Sequence, residues 1–235
     1  MQVSGWRGLA ASHIVGRMTD WLIPPASTPS LPVQGDERRF AVRRILCVGQ
    51  NYAAHAREMG AKSDKPDPFF FSKPADAVVV DGADPAYPSK TENLHYEVEL
   101  VVALGEGAKP VGYAVGVDLT RRDIQAAAKA AGRPWDAAKG FDQSAPCGAL
   151  SLTAPKPDAA ITLKVNGEVR QNGTLADMLW DVDGIIGKAS ELWSLQPGDM
   201  IFTGTPEGVG PLKVGDKVEA TIEGLPPLSF TMVAA

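Results

Sequence analysis

Three carboxylates in the middle of the chain have the type and spacing for divalent-cation chemistry. Glu97 and Glu99 stand two apart in His95-Tyr96-Glu97-Val98-Glu99-Leu100-Val101-Val102-Ala103-Leu104-Gly105, a run that alternates and then turns apolar. Such a run reads as one strand entering the core. Residues two apart share a strand face, so both carboxylates project the same way. On a buried face they are costly unless positive charge meets them; otherwise this is an edge strand with a solvated acidic face. Asp118 closes the apolar run 111–117 just before an expected helix. There a carboxylate either caps the helix or adds a third oxygen ligand. Glu97, Glu99 and Asp118 together would make a hard-cation site for Mg²⁺ or Mn²⁺ with positions left for water or substrate.

Other polar residues have candidate roles around that centre. If the helix begins near Leu119, Arg122 and Gln125 share one of its faces beside Asp118, either as a solvated face or as part of the site. Lys139, in the aromatic-flanked Trp135-Asp136-Ala137-Ala138-Lys139-Gly140-Phe141-Asp142, is either packed through its stem or placed to stabilise an oxyanion or enolate. His55 and Glu58 lie three apart on an expected helix, a surface contact or a pair that activates water. Gly49 and Gly60 at its ends would let that helix move as a lid. Thr203-Gly204-Thr205-Pro206 and Gly208-Val209-Gly210 form a small-residue loop whose hydroxyls and N–H groups suit a carboxylate. The phosphate-loop pattern is absent.

These residues need a scaffold rich in strands and turns. Gly (24) and Pro (19) punctuate many short β-like runs in 235 residues, which points to a strand-dominated fold. Strands are expected at 43–48, 69–71, 78–80, 111–117, 200–203, 216–222 and 228–233. Helices are expected at 53–59, 121–131 and, less regularly, 177–193. Asn166-Gly167 marks a hairpin with a type I′ turn between 161–165 and 168–170. Residues 24–35 read as an irregular, proline-punctuated lead-in. The chain divides into an N-terminal extension and arm (1–41) and a single catalytic domain (42–235), with the first seventeen residues read as an upstream extension.

A net charge of −5 and pI near 5.3 argue against a nucleic-acid partner. No run is apolar enough for a membrane span. Two cysteines, Cys47 and Cys147, without metal-type spacing suit a reducing compartment, so a cytoplasmic location is expected.

Taken in order, the motifs resemble the fumarylacetoacetate hydrolase superfamily. They are Cys47-Val48-Gly49-Gln50-Asn51-Tyr52-Ala53-Ala54-His55 with Glu58, residues 69–77, Glu97-Val98-Glu99, Asp118-Leu119-Thr120-Arg121-Arg122-Asp123-Ile124-Gln125, Lys139-Gly140-Phe141-Asp142 and residues 198–210. They span about residues 42–222. Several blocks are most similar to the fumarylpyruvate hydrolases of gentisate breakdown, with acylpyruvases and oxaloacetate decarboxylases close behind. The resemblance implies an α+β fold, a mixed and largely antiparallel β-roll with a few short helices, a homodimer and a Mg²⁺ or Mn²⁺ ion. It implies that Glu97, Glu99 and Asp118 ligate the metal and that His55, Glu58 and Lys139 are catalytic. It also implies that Arg122, Gln125 and Thr205 bind substrate. Many relatives carry arginine where this chain has Gln50, so Gln50 is a candidate substrate contact that lacks the usual charge.

The reaction these features suit is hydrolytic C–C cleavage of an acylpyruvate, a 2,4-dioxo acid chelated at the metal. His55 and Glu58 would deliver water to the 4-carbonyl, and Lys139 or Gln125 would meet the oxyanion. Fumarylpyruvate would give fumarate and pyruvate, a step in aromatic catabolism. Oxaloacetate decarboxylation and isomerisation of a hydroxymuconate-type dienoate are the alternatives, both through an enolate. A non-catalytic metal-binding domain is the reading from a different class.

Overall fold

The computed structural model describes residues 21–53, 67–80 and 82–235. The expected lid helix therefore lies almost wholly outside the described residues, and His55 and Glu58 with it. The lead-in is more ordered than its prolines suggest. Strands β1 (Ser30–Val33) and β2 (Asp36–Ala41) form an antiparallel hairpin turning at Gly35, whose φ is +72°.

Then follow β3 (Arg44–Gly49), β4 (Phe69–Lys73), the short β5 (Val78–Val79), β6 (Leu94–Tyr96), β7 (Val98–Leu104), β8 (Pro110–Val117) and β9 (Thr120–Arg121). Helices α1 (Arg122–Ala130) and α2 (Asp136–Lys139) precede β10 (Ala145–Pro146), β11 (Ala160–Val165) and β12 (Glu168–Thr174). Helix α3 (Val182–Leu192) leads to β13 (Asp199–Phe202), β14 (Gly210–Leu212), β15 (Lys217–Ile222) and β16 (Leu228–Thr231).

The central sheet has the order β4-β3-β13-β7-β8, with β13 parallel to β3 and every other neighbour antiparallel. A four-stranded antiparallel sheet, β12-β11-β15-β16, lies against one face. A three-stranded sheet, β14-β6-β9, lies beside the site. The described architecture is thus mixed and largely antiparallel with few helices, as the motifs imply.

Strand β7 explains its own sequence. All seven residues are buried, and alternate side chains enter different cores. Leu100, Val102 and Leu104 pack with Ile161, Leu163, Val218 and Phe230 of the four-stranded sheet. Val101 and Ala103 pack with Ile45, Cys47, Met200 and Phe202 on the opposite face. A strand buried on both faces must read as a continuous apolar run. Truncating any one of these leucines to alanine would cost about 2–5 kcal/mol. The Asn166–Gly167 hairpin forms as expected, both residues having positive φ (53° and 82°) between Val165 and Glu168.

Three expectations are corrected. The run from His95 to Gly105 is two strands. β6 pairs with β9 and β14, β7 joins the central sheet, and Glu97 occupies the junction between them. The helix after Asp118 begins at Arg122, since Leu119 and Thr120 first continue toward β9, so Asp118 caps nothing. The helical character of 177–193 belongs to α3, preceded by a 3₁₀ turn at Leu175–Asp177 whose Thr174 and Asp177 cap it reciprocally.

Candidate active site

Glu97 and Glu99 come from either side of the first residue of β7, and Asp118 from the end of β8, antiparallel beside it. The backbone N–H of Asp118 donates to the Glu97 carbonyl (2.8 Å), fixing the two ends together. One oxygen from each of Glu97, Glu99 and Asp118 lies within 4.8 Å of the others, and all three residues are at least 96% buried. Two full charges at that separation repel by about 3.5 kcal/mol even at an effective dielectric of ~20. The cluster therefore needs cations.

Among the described residues, three cations enter it. Lys139 Nζ donates to Glu97 Oε2 and to Asp118 Oδ2, each at 2.6 Å. Arg122 donates to Glu97 Oε1 at 2.6 Å and to Gln125 Oε1 at 2.7 Å. Lys73 Nζ lies 2.8 Å from Asp118 Oδ1, an ion contact without hydrogen-bond alignment, and donates to the Leu119 and Lys139 carbonyls. Burial alone would lower the pKa of Lys139, but Asp118 and Glu97 overcome it and hold the lysine above its ordinary value. It is a fixed ammonium donor at neutral pH.

Glu99 differs. Its carboxylate accepts the Gly204 N–H (2.7 Å), and among the described residues no cation pairs with it. Burial pushes its pKa well above the usual carboxylate range, and the charges of Asp118 and Glu97 add to that; Lys139 and the Gly204 N–H recover only part. Two glycines permit this packing. Gly204 has φ +97°, and a Cβ there would meet Asn51 Cβ at 2.7 Å. Gly116, opposite Glu99 in the ladder, leaves no room for a Cβ against Val101 and the Phe202 ring.

The donor set fits a hard divalent ion: three buried carboxylates with neither sulfur nor imidazole in the group. Each carboxylate oxygen has two lone-pair directions, so pairing with lysine or arginine still leaves acceptors.

The expected residues other than His55 and Glu58, which lie outside the described residues, line one cleft. Gln50, Glu97, Glu99, Asp118, Arg122, Gln125, Lys139 and Thr205 line it together with Phe69, Phe71, Lys129 and Trp135. Gln50 sits in the left-handed region at φ 59°. Gln125, 3% exposed, has its carbonyl held by Arg122, which leaves its NH₂ as a donor. Thr205 Oγ1 accepts from Gln171 Nε2 (2.8 Å), so its hydrogen is free to turn toward the cleft.

The sequence alone leaves several supports unassigned. Lys73 is one; its signal is a lysine ending the strand that opens with the apolar Phe69-Phe70-Phe71. Gln171, fully buried, ties β7 to the Thr205 loop through Val98 N–H (2.9 Å) and the Pro206 carbonyl (2.9 Å). Asn51 bridges the Trp180 and Thr203 backbones. His95 contacts Arg122 (3.4 Å), and burial, aided by that guanidinium, lowers its pKa to about 4, so it is neutral. No helix among the described residues is long and apolar enough to cross a membrane.

A mixed β-roll that converges buried acids and bases on one cleft defines an enzyme of carboxylate-site chemistry. Residues 44–233 match the family model described as fumarylacetoacetate (FAA) hydrolase C-terminal, and the chain belongs to that family. Among solved structures, it resembles fumarylpyruvate hydrolase from Pseudomonas aeruginosa in complex with Mn²⁺ and pyruvate. The TM-score is 0.88 at 44% identity, over 92% of this chain and 100% of that one. It is also 43% identical to the mitochondrial oxaloacetate tautomerase FAHD1 of Arabidopsis thaliana, over 80% of this chain and 89% of the relative. The oxaloacetate tautomerase YcgM of Escherichia coli is 39% identical over 81% and 93%.

Proposed function

We propose that this enzyme hydrolyses a C–C bond of an acylpyruvate, with fumarylpyruvate giving fumarate and pyruvate as its reaction. The observation that carries the reading is the buried Glu97–Glu99–Asp118 group, paired with Lys139 and Arg122 and opening on an aromatic-walled cleft. The likeness to a fumarylpyruvate hydrolase that binds Mn²⁺ and pyruvate supports it.

Glu97, Glu99 and Asp118 would hold Mg²⁺ or Mn²⁺. When bound, such an ion polarises the carboxylate and oxo oxygens of the substrate's pyruvyl end. Arg122 and the Gln125 NH₂ are donors for the substrate carboxylate, with Thr205 Oγ as a further hydroxyl contact. His55 and Glu58, outside the described residues, would take a proton from water as its oxygen bonds to the 4-carbonyl carbon. The ammonium of Lys139, kept charged by its two carboxylates, meets the oxyanion. Collapse breaks the C3–C4 bond and leaves its electron pair on pyruvate as an enolate, which takes up a proton at C3. A homodimer in the cytoplasm completes the reading.

A second reading is favoured by the tautomerase relatives: keto–enol interconversion of oxaloacetate, which moves a proton at C3 and needs no attacking water. The test follows the enol absorbance of fumarylpyruvate with Mg²⁺ or Mn²⁺ and assays fumarate and pyruvate as products. Stoichiometric formation of both, lost in Glu58→Gln, supports hydrolysis. No cleavage of fumarylpyruvate by a protein that tautomerises oxaloacetate would replace it with the second reading.

A further inference from the structure

Helix α1 carries more into the cleft than Arg122 and Gln125. Lys129 follows at i+7 from Arg122 and i+4 from Gln125, which places all three on one helical face. At the helical rise, Lys129 stands about 10 Å along the axis from Arg122. It lines the same cleft as the carboxylate group. Its Nζ lies 4.9 Å from the centroid of the Trp135 ring, and among the described residues it makes no ion pair. Trp135 is itself fixed, edge-on to Phe69 at 5.1 Å and tilted against Phe71 at 6.1 Å. Lys139 Nζ lies 4.9 Å from the Phe71 ring. One aromatic wall therefore carries an ammonium at each end. One is bound into the carboxylate group; the other has no carboxylate of its own.

We propose that Lys129 is a specificity-determining residue, binding the carboxylate at the end of the substrate remote from the proposed metal and selecting dicarboxylic over monocarboxylic 2-oxo acids. The inference rests on the acylpyruvate reading and extends it to the far end of the substrate. Lys129 adds to the cleft a positive charge that no carboxylate among the described residues pairs with. Lys129 stands about 10 Å along the helix from Arg122, a separation that suits the second carboxylate of an extended diacid, and Trp135 and Phe71 line the same cleft. Partial burial first, and then the Arg122 charge, lower the pKa of Lys129, while Glu97 acts the other way.

The test measures binding by calorimetry in the presence of Mg²⁺. It compares 2-oxoadipate, a diacid, with 2-oxohexanoate, its monoacid analogue, on the native sequence, Lys129→Gln and Lys129→Arg. The native protein is expected to favour the diacid by about tenfold, as for a hydrogen bond to a charged group. Lys129→Gln should lose that preference with monoacid binding unchanged, and Lys129→Arg should keep it. An unchanged diacid preference in Lys129→Gln, or equal loss for both acids, overturns the assignment and leaves the acylpyruvate reading standing. Failure of both oxo acids to bind the native protein overturns the acylpyruvate reading and the Lys129 assignment with it.

Discussion

Among the described residues, acidic side chains are buried in two places, with opposite outcomes. Asp199 opens β13 with its side chain fully excluded from water. Arg43 donates to it at 2.8 Å, Arg44 at 2.9 and 3.1 Å, and the Gln196 N–H at 2.8 Å. Burial alone would raise its pKa, but the bonds from Arg44, Gln196 N–H and Arg43 overcome it and hold it below the ordinary value. Glu99 is as well buried, faces two other carboxylates and receives one N–H, and its pKa is raised. A structural carboxylate is satisfied within the chain. Glu99 leaves a deficit that a divalent cation would fill.

The largest effect that would break this comparison is on turnover. Glu97→Gln removes a proposed ligand and an acceptor of both Lys139 and Arg122, and is expected to lower kcat/KM at least about a hundredfold, since loss of even a supporting partner costs 10–100-fold. Steady-state kinetics with a calorimetric metal titration check it; full activity with normal metal affinity would remove Glu97 from the site.

Next comes stability. Saturating Mg²⁺ or Mn²⁺ at a hundred times its Kd should stabilise the protein by about 2.7 kcal/mol. Glu99→Gln, nearly isosteric, should abolish that shift and raise the melting temperature of the metal-free protein, because it deletes an uncompensated buried charge. Calorimetric melts with metal and with chelator read both changes. A lower metal-free melting temperature would show that Glu99 is as well satisfied as Asp199.

Asp199→Asn should do the opposite. It is expected to cost about 1–3 kcal/mol, about 2–4 °C in melting temperature for each kcal/mol, with metal affinity unchanged. The sign in pH follows from the lowered folded pKa. Asp199 contributes its stability above the unfolded value, about 3.9, and loses it as pH falls through the folded value. The gap between native and Asp199→Asn in denaturant melts should therefore hold from pH 7 to 5 and close below about pH 4.

The smallest effect concerns Gln50. Because arginine tolerates φ 59° no better or worse than glutamine, Gln50→Arg should leave stability unchanged. It should raise the diacid preference two- to fivefold, about what a partly exposed ion pair contributes. An unchanged preference would mean that position 50 does not select substrate.

Much of this was legible along the chain because it is local. The apolar run of β7, the Asn166–Gly167 turn and the helical spacing of Arg122 and Gln125 are written in consecutive residues. The hairpin β1–β2 was hidden because Pro32 and its neighbours mask strand propensity. The break at Glu97 was hidden because alternation continues through it while the pairing partners change. Gln171 has no local signal, being one glutamine in a polar strand until its neighbours enclose it.

By itself the sequence determined the residue types of the site, their order and most strand-forming segments, since side-chain chemistry and backbone propensity are properties of neighbours. Only the tertiary structure decided what each charge meets. Lys73 reaches Asp118 and the Leu119 carbonyl from 46 residues before the latter, and the Gly204 N–H reaches Glu99 across 105. Whether a buried carboxylate is stabilised, like Asp199, or left wanting a cation, like Glu99, depends on such distant donors and on the exclusion of water. Both arise only when the sheets close over them.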